Sequence, residues 1–260
     1  MTASQGVRPA ALVTGARRGI GRATCVALAE KGFDVIGADI SAEGVAETQA
    51  AVAAVGGGFA FIPADVGDVA AHGALVDAAW AAFGGVECLA NVAGVQVAKR
   101  QDVLETTPES WDRLLDINTR GTFFLSQAVA KRMIAPGAPA RGHRSLCFVS
   151  SVNSVMASLN RAEYCVSKAG VTMVAKLFAL RLAAHGINTY DIQPGMIRTD
   201  MTREVWDRYA EQIEGGLTPI RRWGEAEDIG RAIATLAAGA MPFSTGHSFP
   251  VDGGLLMPRF

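Results

Sequence analysis

Short apolar runs alternate with longer segments of helical periodicity along the whole chain. The first run covers residues 10–13, and similar runs start near positions 33, 58, 86, 145, 187 and 247. Between them, apolar residues recur every three or four positions, most clearly from Pro108 to about Met133. Short apolar runs are typical of buried parallel strands, and the segments between them are typical of crossover helices. The pattern predicts an α/β fold with a doubly wound sheet of seven parallel strands flanked by helices.

Nothing in the pattern divides the chain into parts. It contains no internal repeat, no low-complexity tract and no stretch with the composition of a linker. A chain of 260 residues is long enough to bury one large core. We therefore expect a single domain over residues 1–260.

Composition narrows the class of protein. Half of the residues are hydrophobic and the net charge is −1, which argues against a nucleic-acid binder that relies on a basic surface. No apolar stretch approaches the ~18 uninterrupted residues of a membrane span, and residues 1–9 lack the apolar run of a signal peptide. Cysteines without C-x-x-C spacing are expected to be reduced, in a cytoplasmic protein. They are Cys25, Cys88, Cys147 and Cys165.

A glycine-rich turn follows the first predicted strand. Gly15, Gly19 and Gly21 lie between the apolar run and a helical segment that continues to about Lys31. Glycines allow the backbone to approach a pyrophosphate closely, and a helix N-terminus offers free N–H groups with a partial positive charge. An ordinary βα turn can also contain glycines, but dinucleotide-binding folds keep this pattern in their first βα unit. The turn therefore predicts a dinucleotide site.

An acidic residue at the end of the second predicted strand indicates which dinucleotide is bound. Asp39 lies 18 residues after Gly21, near the ~20 expected of a carboxylate that binds the adenosine ribose hydroxyls. A carboxylate at this position repels a 2′-phosphate, so NAD is favoured over NADP. Arg17 and Arg18 leave NADP open, because guanidinium groups bind phosphate well.

Tyr164 and Lys168 form a candidate acid–base pair. Four residues span just over one helical turn, so both side chains project from one face of the predicted helix. A phenol titrates near ~10, and bringing its pKa to about 7 requires ~4 kcal/mol. One positive charge at ~4 Å contributes about that much at an effective dielectric constant of ~20. The motif alone is common by chance, so the residues around it must decide its role.

The order of motifs along essentially the whole chain resembles the short-chain dehydrogenase/reductase family. The resemblance implies a Rossmann-type fold and an NAD(P)-dependent oxidoreductase that transfers a hydride between nicotinamide and a secondary alcohol or ketone. It also implies a homotetramer, and no metal site is predicted. The matching residues are Thr14-Gly15-x-x-x-Gly19-x-Gly21, Asn91-x-Ala93-Gly94, Asn118, Ser151, Tyr164-x-x-x-Lys168 and Pro194-Gly195.

The resemblance implies roles for the matching residues. Tyr164 is expected to act as the general acid–base, with its pKa lowered by Lys168, while Ser151 hydrogen-bonds the substrate oxygen. Asn118 is expected to hold a water that relays protons to Lys168. The residues expected to contact the cofactor are Gly15, Arg17, Arg18, Gly19, Ile20, Gly21, Asp39, Ile40, Asp65, Val66, Asn91, Ala93, Gly94, Tyr164, Lys168, Pro194, Gly195, Ile197 and Thr199.

The resemblance leaves the substrate open between two kinds of enzyme. A sugar, polyol or hydroxy-acid dehydrogenase is favoured, because Asp39 opposes NADPH and Leu180 replaces a basic residue that would dock an acidic carrier protein. The alternative is a 3-oxoacyl-acyl-carrier-protein reductase that uses NADPH, in keeping with residues 194–202 and the neighbouring Arg181. A non-catalytic cofactor-binding regulator is a remote alternative, which the intact catalytic residues oppose. The residues expected to contact a small-molecule substrate are Gln96, Ser151, Asn153, Arg161 and Trp206.

Overall fold

The strands lie where the apolar runs predict them. The computed structural model describes residues 7–258, apart from the side chain of Glu204, so the ends of the predicted domain, 1–6 and 259–260, lie outside the described residues. The strands are β1 (Ala10–Thr14), β2 (Asp34–Asp39), β3 (Phe59–Pro63), β4 (Cys88–Asn91), β5 (Arg144–Val149), β6 (Ile187–Pro194), β7 (Ile197–Arg198), β8 (Gly224–Glu225) and β9 (His247–Val251).

Seven of these strands form one parallel sheet in the order β3-β2-β1-β4-β5-β6-β9, which confirms the predicted fold class. Strand β1 pairs with both β2 and β4, so Leu12 lies between Ile36 and Leu89. The strand order therefore reverses at β1, and the crevice at such a reversal binds ligands at the carboxyl ends of the strands.

Within residues 7–258, eight α-helices connect the strands and cover both faces of the sheet. They are α1 (Gly19–Glu30), α2 (Val45–Ala54), α3 (His72–Phe83), α4 (Pro108–Leu114), α5 (Thr122–Met133), α6 (Ala162–Leu182), α7 (Trp206–Glu214) and α8 (Ala226–Ala237). Because successive strand residues point to opposite faces, the sheet contributes to two cores. Leu12 and Leu146 pack with α3, α5 and α6, whereas Val13 and Cys147 pack with α1 and α8.

Two features differ from the sequence prediction. The long helix from Pro108 to Met133 is interrupted by a π-helical turn, Leu115–Gly121, which separates α4 from α5. Its Gly121 packs so tightly that an added Cβ would lie 2.2 Å from the Val66 carbonyl oxygen. The short pair β7 and β8 forms a separate two-stranded sheet. The pairing of two residues with two has no periodicity that a sequence pattern could reveal.

The amino ends of the strands are held together by a buried ion pair. Glu87, just before β4, is fully buried and accepts hydrogen bonds from the Ala10 N–H at 2.8 Å and from the Arg141 guanidinium at 2.8 and 2.9 Å. Arg141 also donates its backbone N–H to the same carboxylate, at 3.3 Å. The pair ties the loop between α5 and β5 to the start of two strands.

The cysteines are free thiols, as their spacing predicts. Cys25, Cys88 and Cys147 are buried and Cys165 is partly exposed. Burial raises the pKa of the Cys25 thiol well above its ordinary value, and a thiol in that state is a poor nucleophile. In the part of the chain that the structure describes, no helix is long and apolar enough to cross a membrane.

Candidate active site

The carboxyl ends of β4, β5 and β6 open onto one cleft of about 100 Å³. The glycine-rich turn after β1 reaches the same cleft through Ile20. The cleft brings the predicted catalytic residues Ser151, Tyr164 and Lys168 together with predicted cofactor residues from distant segments. Its lining residues are Ile20, Val92, Gly94, Val95, Val149, Ser150, Ser151, Tyr164, Lys168, Pro194, Gly195, Ile197, Thr199, Met201 and Thr202.

Helix α6 carries Tyr164 and Lys168 one turn apart on its buried face. Both residues are nearly enclosed, at 8% and 5% exposure. The Lys168 ammonium lies 5.8 Å from the centroid of the Tyr164 ring and donates a hydrogen bond to the Val149 carbonyl at 2.9 Å. The two side chains therefore share one face, as their spacing predicts, and the lysine is anchored to the end of β5.

Burial dominates the acid–base properties of both groups. It raises the pKa of the Tyr164 phenol, an effect that the Ser151 hydroxyl and the Arg161 charge partly offset. Burial also lowers the pKa of Lys168 to about 8, opposed by the charge of Asp191. The net direction for Tyr164 is opposite to the predicted one, because the loss of hydration exceeds the attraction of nearby positive charges.

Ser151 stands where β5 ends and a 3₁₀ turn, Val152–Ser154, begins. Its hydroxyl oxygen accepts a hydrogen bond from the Asn153 N–H at 3.1 Å. A hydroxyl has one donor and two acceptor positions, so this bond fixes the oxygen while the O–H can still donate. The residue lines the cleft beside Tyr164, which suits a donor to a substrate oxygen.

Asn118 lies in the π-helical turn, and protein groups occupy its side-chain amide. Its Oδ1 accepts from the Val95 N–H at 2.8 Å, and its Nδ2 donates to the Val95 carbonyl and the Ser167 hydroxyl, both at 3.0 Å. An added Cβ on Gly94 would lie 3.1 Å from Asn118 Oδ1 and 3.3 Å from Lys168 Nζ. The asparagine side chain thus lies beside the lysine across Gly94, and its amide fixes the segment after β4.

The glycine-rich turn fits a pyrophosphate. Gly15 adopts a φ of 70°, in the left-handed region that favours glycine. An added Cβ on Gly21 would lie 1.8 Å from the Gly15 carbonyl oxygen, so only glycine allows this close turn. No side chain caps the N-terminus of α1 at Arg18, which leaves its N–H groups to bind phosphate oxygens.

Asp39 and the two arginines of the turn are arranged unequally. Arg17 Nε lies 3.2 Å from one Asp39 carboxylate oxygen, and the Arg17 N–H donates to the other at 3.3 Å. Arg17 also faces Glu43 at 3.7 Å. Arg18 instead pairs with Asp200, at 3.2 Å, across the segment that follows β7. The arginine nearest Asp39 is therefore already neutralised by acids, which weakens it as a 2′-phosphate ligand.

The remaining predicted cofactor residues lie at or just after the carboxyl ends of the strands. Asn91 is buried and donates to the Ser126 hydroxyl at 3.1 Å, while Asp65 is exposed and accepts from the Gly67 N–H at 2.8 Å. The Ala93 N–H donates to the Thr14 hydroxyl at 3.0 Å, which holds this strand end against β1. Four others line the cleft itself: Pro194, Gly195, Ile197 and Thr199.

The predicted substrate residues divide into one that lines the cleft and four that flank it. Ser151 lines the cleft. The Asn153 amide donates to the Met156 carbonyl at 3.0 Å, and the Trp206 indole donates to the Thr202 hydroxyl at 3.1 Å. Gln96 accepts from the Val97 N–H at 3.0 Å. Arg161 lies over the Tyr164 ring, with Cζ 5.8 Å from the ring centroid.

Sequence reasoning missed two groups near the site. Val95 is held by Asn118 and has no chemical signature of its own. Asp191 and Gln193 are buried polar residues on β6, and no motif in the sequence gives either of them a role. A charge within an apolar strand segment was the signal that could have singled out Asp191, because an ionised carboxylate is costly to bury.

A family model described as enoyl-(acyl carrier protein) reductase matches residues 15–256. The chain is 34% identical over 249 residues to the 2-dehydro-3-deoxy-D-gluconate 5-dehydrogenase of Dickeya dadantii, covering 95% of this chain and 94% of that protein. It is also 34% identical to the D-threitol dehydrogenase of Mycolicibacterium smegmatis, over 94% of this chain and 91% of that one.

A solved structure resembles the chain along its whole length. It is a 3-oxoacyl-[acyl-carrier protein] reductase from Brucella melitensis in complex with NAD, with a TM-score of 0.93 and 46% identity. The match covers 99% of this chain and 100% of that one.

Proposed function

Because the chain belongs to the short-chain dehydrogenase/reductase family and is an NAD(P)-dependent oxidoreductase acting on CH–OH groups, we propose that it oxidises or reduces a small sugar acid or hydroxy acid with NAD. A neutral sugar or polyol is the next choice. The proposal is supported by the positive charge beside Tyr164 and by the position of Asp39 at the end of β2, where it pairs with Arg17.

Positive charge beside the phenol is the observation that carries the substrate class. Arg161 Cζ lies 5.8 Å from the centroid of the Tyr164 ring, and the charges of Arg161 and Arg100 both act to lower the pKa of the phenol. A carboxylate on the substrate would be attracted to the same place, since Arg binds carboxylates with paired hydrogen bonds. The relative that acts on 2-dehydro-3-deoxy-D-gluconate, itself a sugar acid, supports this choice.

Asp39 supports NAD as the cofactor. Its carboxylate lies at the end of β2, where the adenosine ribose is bound in this kind of fold. Arg17, the arginine that could balance a 2′-phosphate, is already paired with Asp39 and Glu43. The Brucella melitensis relative was solved with NAD, which agrees with this preference.

The proposed reaction divides the work among four residues. When bound, the nicotinamide supplies the hydride donor or acceptor. Tyr164 takes the proton from the substrate hydroxyl in oxidation and returns it to the carbonyl oxygen in reduction. Ser151 donates a hydrogen bond to that oxygen as charge develops on it. Lys168 holds a positive charge near the phenol. Asn118 fixes the segment after β4 through its hydrogen bonds with Val95.

A second candidate is a 3-oxoacyl-acyl-carrier-protein reductase, which the 46% identity to the Brucella melitensis reductase favours. Leu180 opposes it, because this side chain is 83% exposed on α6 where a basic residue would meet an acidic carrier protein. Arg181, its neighbour, leaves some positive charge nearby.

Initial rates on a substrate panel test the proposal. We expect NAD with a sugar acid or hydroxy acid to outperform NADPH with an acetoacetyl thioester, and Tyr164→Phe to lower kcat by about 10²–10⁴-fold. Arg161→Ala should raise KM for acids and leave neutral polyols unaffected. If the thioester with NADPH is the best pair, the second candidate replaces the first; if Tyr164→Phe keeps full activity, the catalytic assignment is wrong.

We also propose that the enzyme is a homotetramer in the cytoplasm. Helices α5 and α6 expose a row of apolar side chains suited to a symmetry mate, namely Phe124, Val166, Met173, Leu177 and Leu180. Four free thiols suit a reducing compartment. Light scattering after size-exclusion chromatography measures the mass, and a monomer at micromolar concentration would contradict the tetramer.

A further inference from the structure

Asp191 is a buried carboxylate on β6, the strand whose carboxyl end opens onto the cleft. It lies in the middle of β6, between Phe148 of β5 and Ser248 of β9, and only 1% of it is exposed. Burying an ionised carboxylate costs several kcal/mol unless charges or hydrogen bonds compensate it. Its surroundings therefore need an explanation.

All of the hydrogen bonds that the Asp191 carboxylate accepts from described residues go to one of its two oxygens. Oδ2 accepts from the Ser248 hydroxyl at 2.7 Å, the Thr172 hydroxyl at 2.9 Å and the Gln193 amide at 3.2 Å. Oδ1 is buried and has no hydrogen-bond partner among the described residues. Three neutral donors on one oxygen leave the negative charge only partly compensated, so a nearby cation gains from it.

The groups around Asp191 connect it to both sides of the active site. Thr172 follows Lys168 by one turn on α6, so the carboxylate is tied to the lysine's own helix. Gln193 also donates to the Ser154 hydroxyl at 2.9 Å, and Ser154 ends the turn that Ser151 begins. One carboxylate is therefore bonded to the lysine's helix and, through Gln193, to the turn that carries the serine.

Lys168 is the cation whose pKa the Asp191 charge affects. Burial lowers the lysine pKa to about 8, and the Asp191 charge acts in the opposite direction. The groups that donate to the carboxylate are all neutral: Ser248 from β9, Thr172 from α6 and Gln193 from its own strand, β6. On the far side of Lys168, the ionisable neighbour is the Tyr164 phenol.

We propose that Asp191 is a positioning residue for the reaction, a buried counterion that keeps the Lys168 ammonium charged beside Tyr164 and holds the Ser151 turn in register with it. The proposal rests on the proposed roles of Tyr164 and Lys168. Asp191 is not among the residues that line the cleft, and it acts through these residues.

The pH dependence of reduction tests the counterion. Reduction needs a protonated phenol and a charged lysine, and removing the negative charge of Asp191 lowers the pKa of Lys168. In Asp191→Asn, the alkaline limb, which is the fall of kcat/KM at high pH, should therefore begin about 1 pH unit lower than in the parent. At pH values above this fall, kcat/KM should be roughly tenfold lower than in the parent. Asp191→Glu, which keeps the charge, should restore the limb toward its original position.

Ser248→Ala is the matched control, because it removes the shortest hydrogen bond to Asp191 and leaves the charge. It should lower the melting temperature without moving the limb. A limb that stays in place in a folded Asp191→Asn would overturn the proposal, and so would an equal shift in Ser248→Ala. Since Tyr164→Phe is tested separately, failure of the counterion leaves the catalytic assignment standing.

Infrared spectroscopy of Lys168→Met provides a measurement that needs no Asp191 variant. Without the lysine, Asp191 loses its counterion and should take up a proton, giving a protonated-carboxyl band that shifts on ¹³C-aspartate labelling. The parent protein should lack that band. A band already present in the parent, or absent from the folded variant, would contradict the counterion.

Discussion

Two buried carboxylates near opposite ends of the same sheet differ in how their negative charge is compensated. Glu87, at the amino ends of the strands, accepts from Ala10 and from three donor groups of Arg141, so both of its oxygens are engaged. Asp191, close to the carboxyl ends, has three neutral donors on one oxygen and none on the other. Both residues are at most 1% exposed.

The difference separates stability from function. The Glu87 charge is compensated by a partner at hydrogen-bond distance, so it has little effect on distant groups. Its pairing fixes the loop that brings Arg141 to the sheet. A charge compensated only in part still acts on groups farther away, here on Lys168. The amino ends of the sheet are therefore expected to respond to mutation in stability, and the carboxyl ends in activity.

Arg141→Ala should have the largest effect on folding. It leaves the Glu87 carboxylate buried without its cation, which costs about 3–5 kcal/mol of unfolding free energy. Activity per folded molecule should be unchanged, because the cleft lies at the other end of the sheet. Urea denaturation and active-site titration measure the two quantities. The double variant Glu87→Gln with Arg141→Met serves as control and should be close to neutral; a similar loss in both would refute the charge explanation.

Lys168→Met combined with Asp191→Asn should show the reverse behaviour. This variant should be inactive yet more stable than the parent at pH 7, by about 1–4 kcal/mol, because it removes two buried charges that are not in direct contact. The lysine pKa is about 8 in the folded protein against an ordinary 10.5, so the unfolded chain binds more protons between these values.

The stability gain of that double variant should therefore depend on pH. The cost of burying Lys168 is present in full below pH 8 and fades as the pH rises toward 10.5. Chemical denaturation at pH 7 and pH 10 measures the change. A gain of equal size at both pH values would show that the lysine carries no such cost.

Gly94→Ala should affect activity more than stability. The new methyl group would lie 3.1 Å from Asn118 Oδ1 and 3.3 Å from Lys168 Nζ, so one of them must shift by a few tenths of an ångström. We expect kcat/KM to fall by about 10–100-fold and stability to fall by about 1 kcal/mol. Gly73→Ala in α3 is the control, since its added Cβ has no neighbour within 4 Å. Equal kinetics in the two variants would mean that Gly94 places no constraint on the lysine.

Asp200→Asn should have the smallest effect. The Asp200 carboxylate pairs with Arg18 at 3.2 Å and with Arg203 at 2.6 Å, and all three side chains are about half exposed or more. Exposed pairs contribute roughly 0.2–1 kcal/mol and are screened by salt. The small decrease in the melting temperature of Asp200→Asn should therefore disappear in high salt. A loss that persists there would place this pair with the buried ones.

The sequence predicted what is periodic or local. The apolar runs located the seven strands of the main sheet, and the four-residue spacing placed Tyr164 and Lys168 on one face. The compensation of Asp191 could not be predicted, because its donors come from α6, β6 and β9, far apart in the chain. The pairing of Arg17 with Asp39 could not be predicted for the same reason, because it depends on the distance between a turn and a strand end.

The π-helical turn Leu115–Gly121 also determines where the chain between α4 and α5 can change length. Each residue in an α-helix adds about 100° of rotation, whereas a π-helical turn accommodates an extra residue without passing that rotation on. Deleting one residue here would leave a continuous α-helix with Leu114 and Leu125 in their present relative orientation, while deleting one in α5 before Leu125 would rotate them apart by about 100°. The fold should therefore tolerate the loss of one residue in the π-helical turn better than in α5, and a deletion scan across both segments measures the difference.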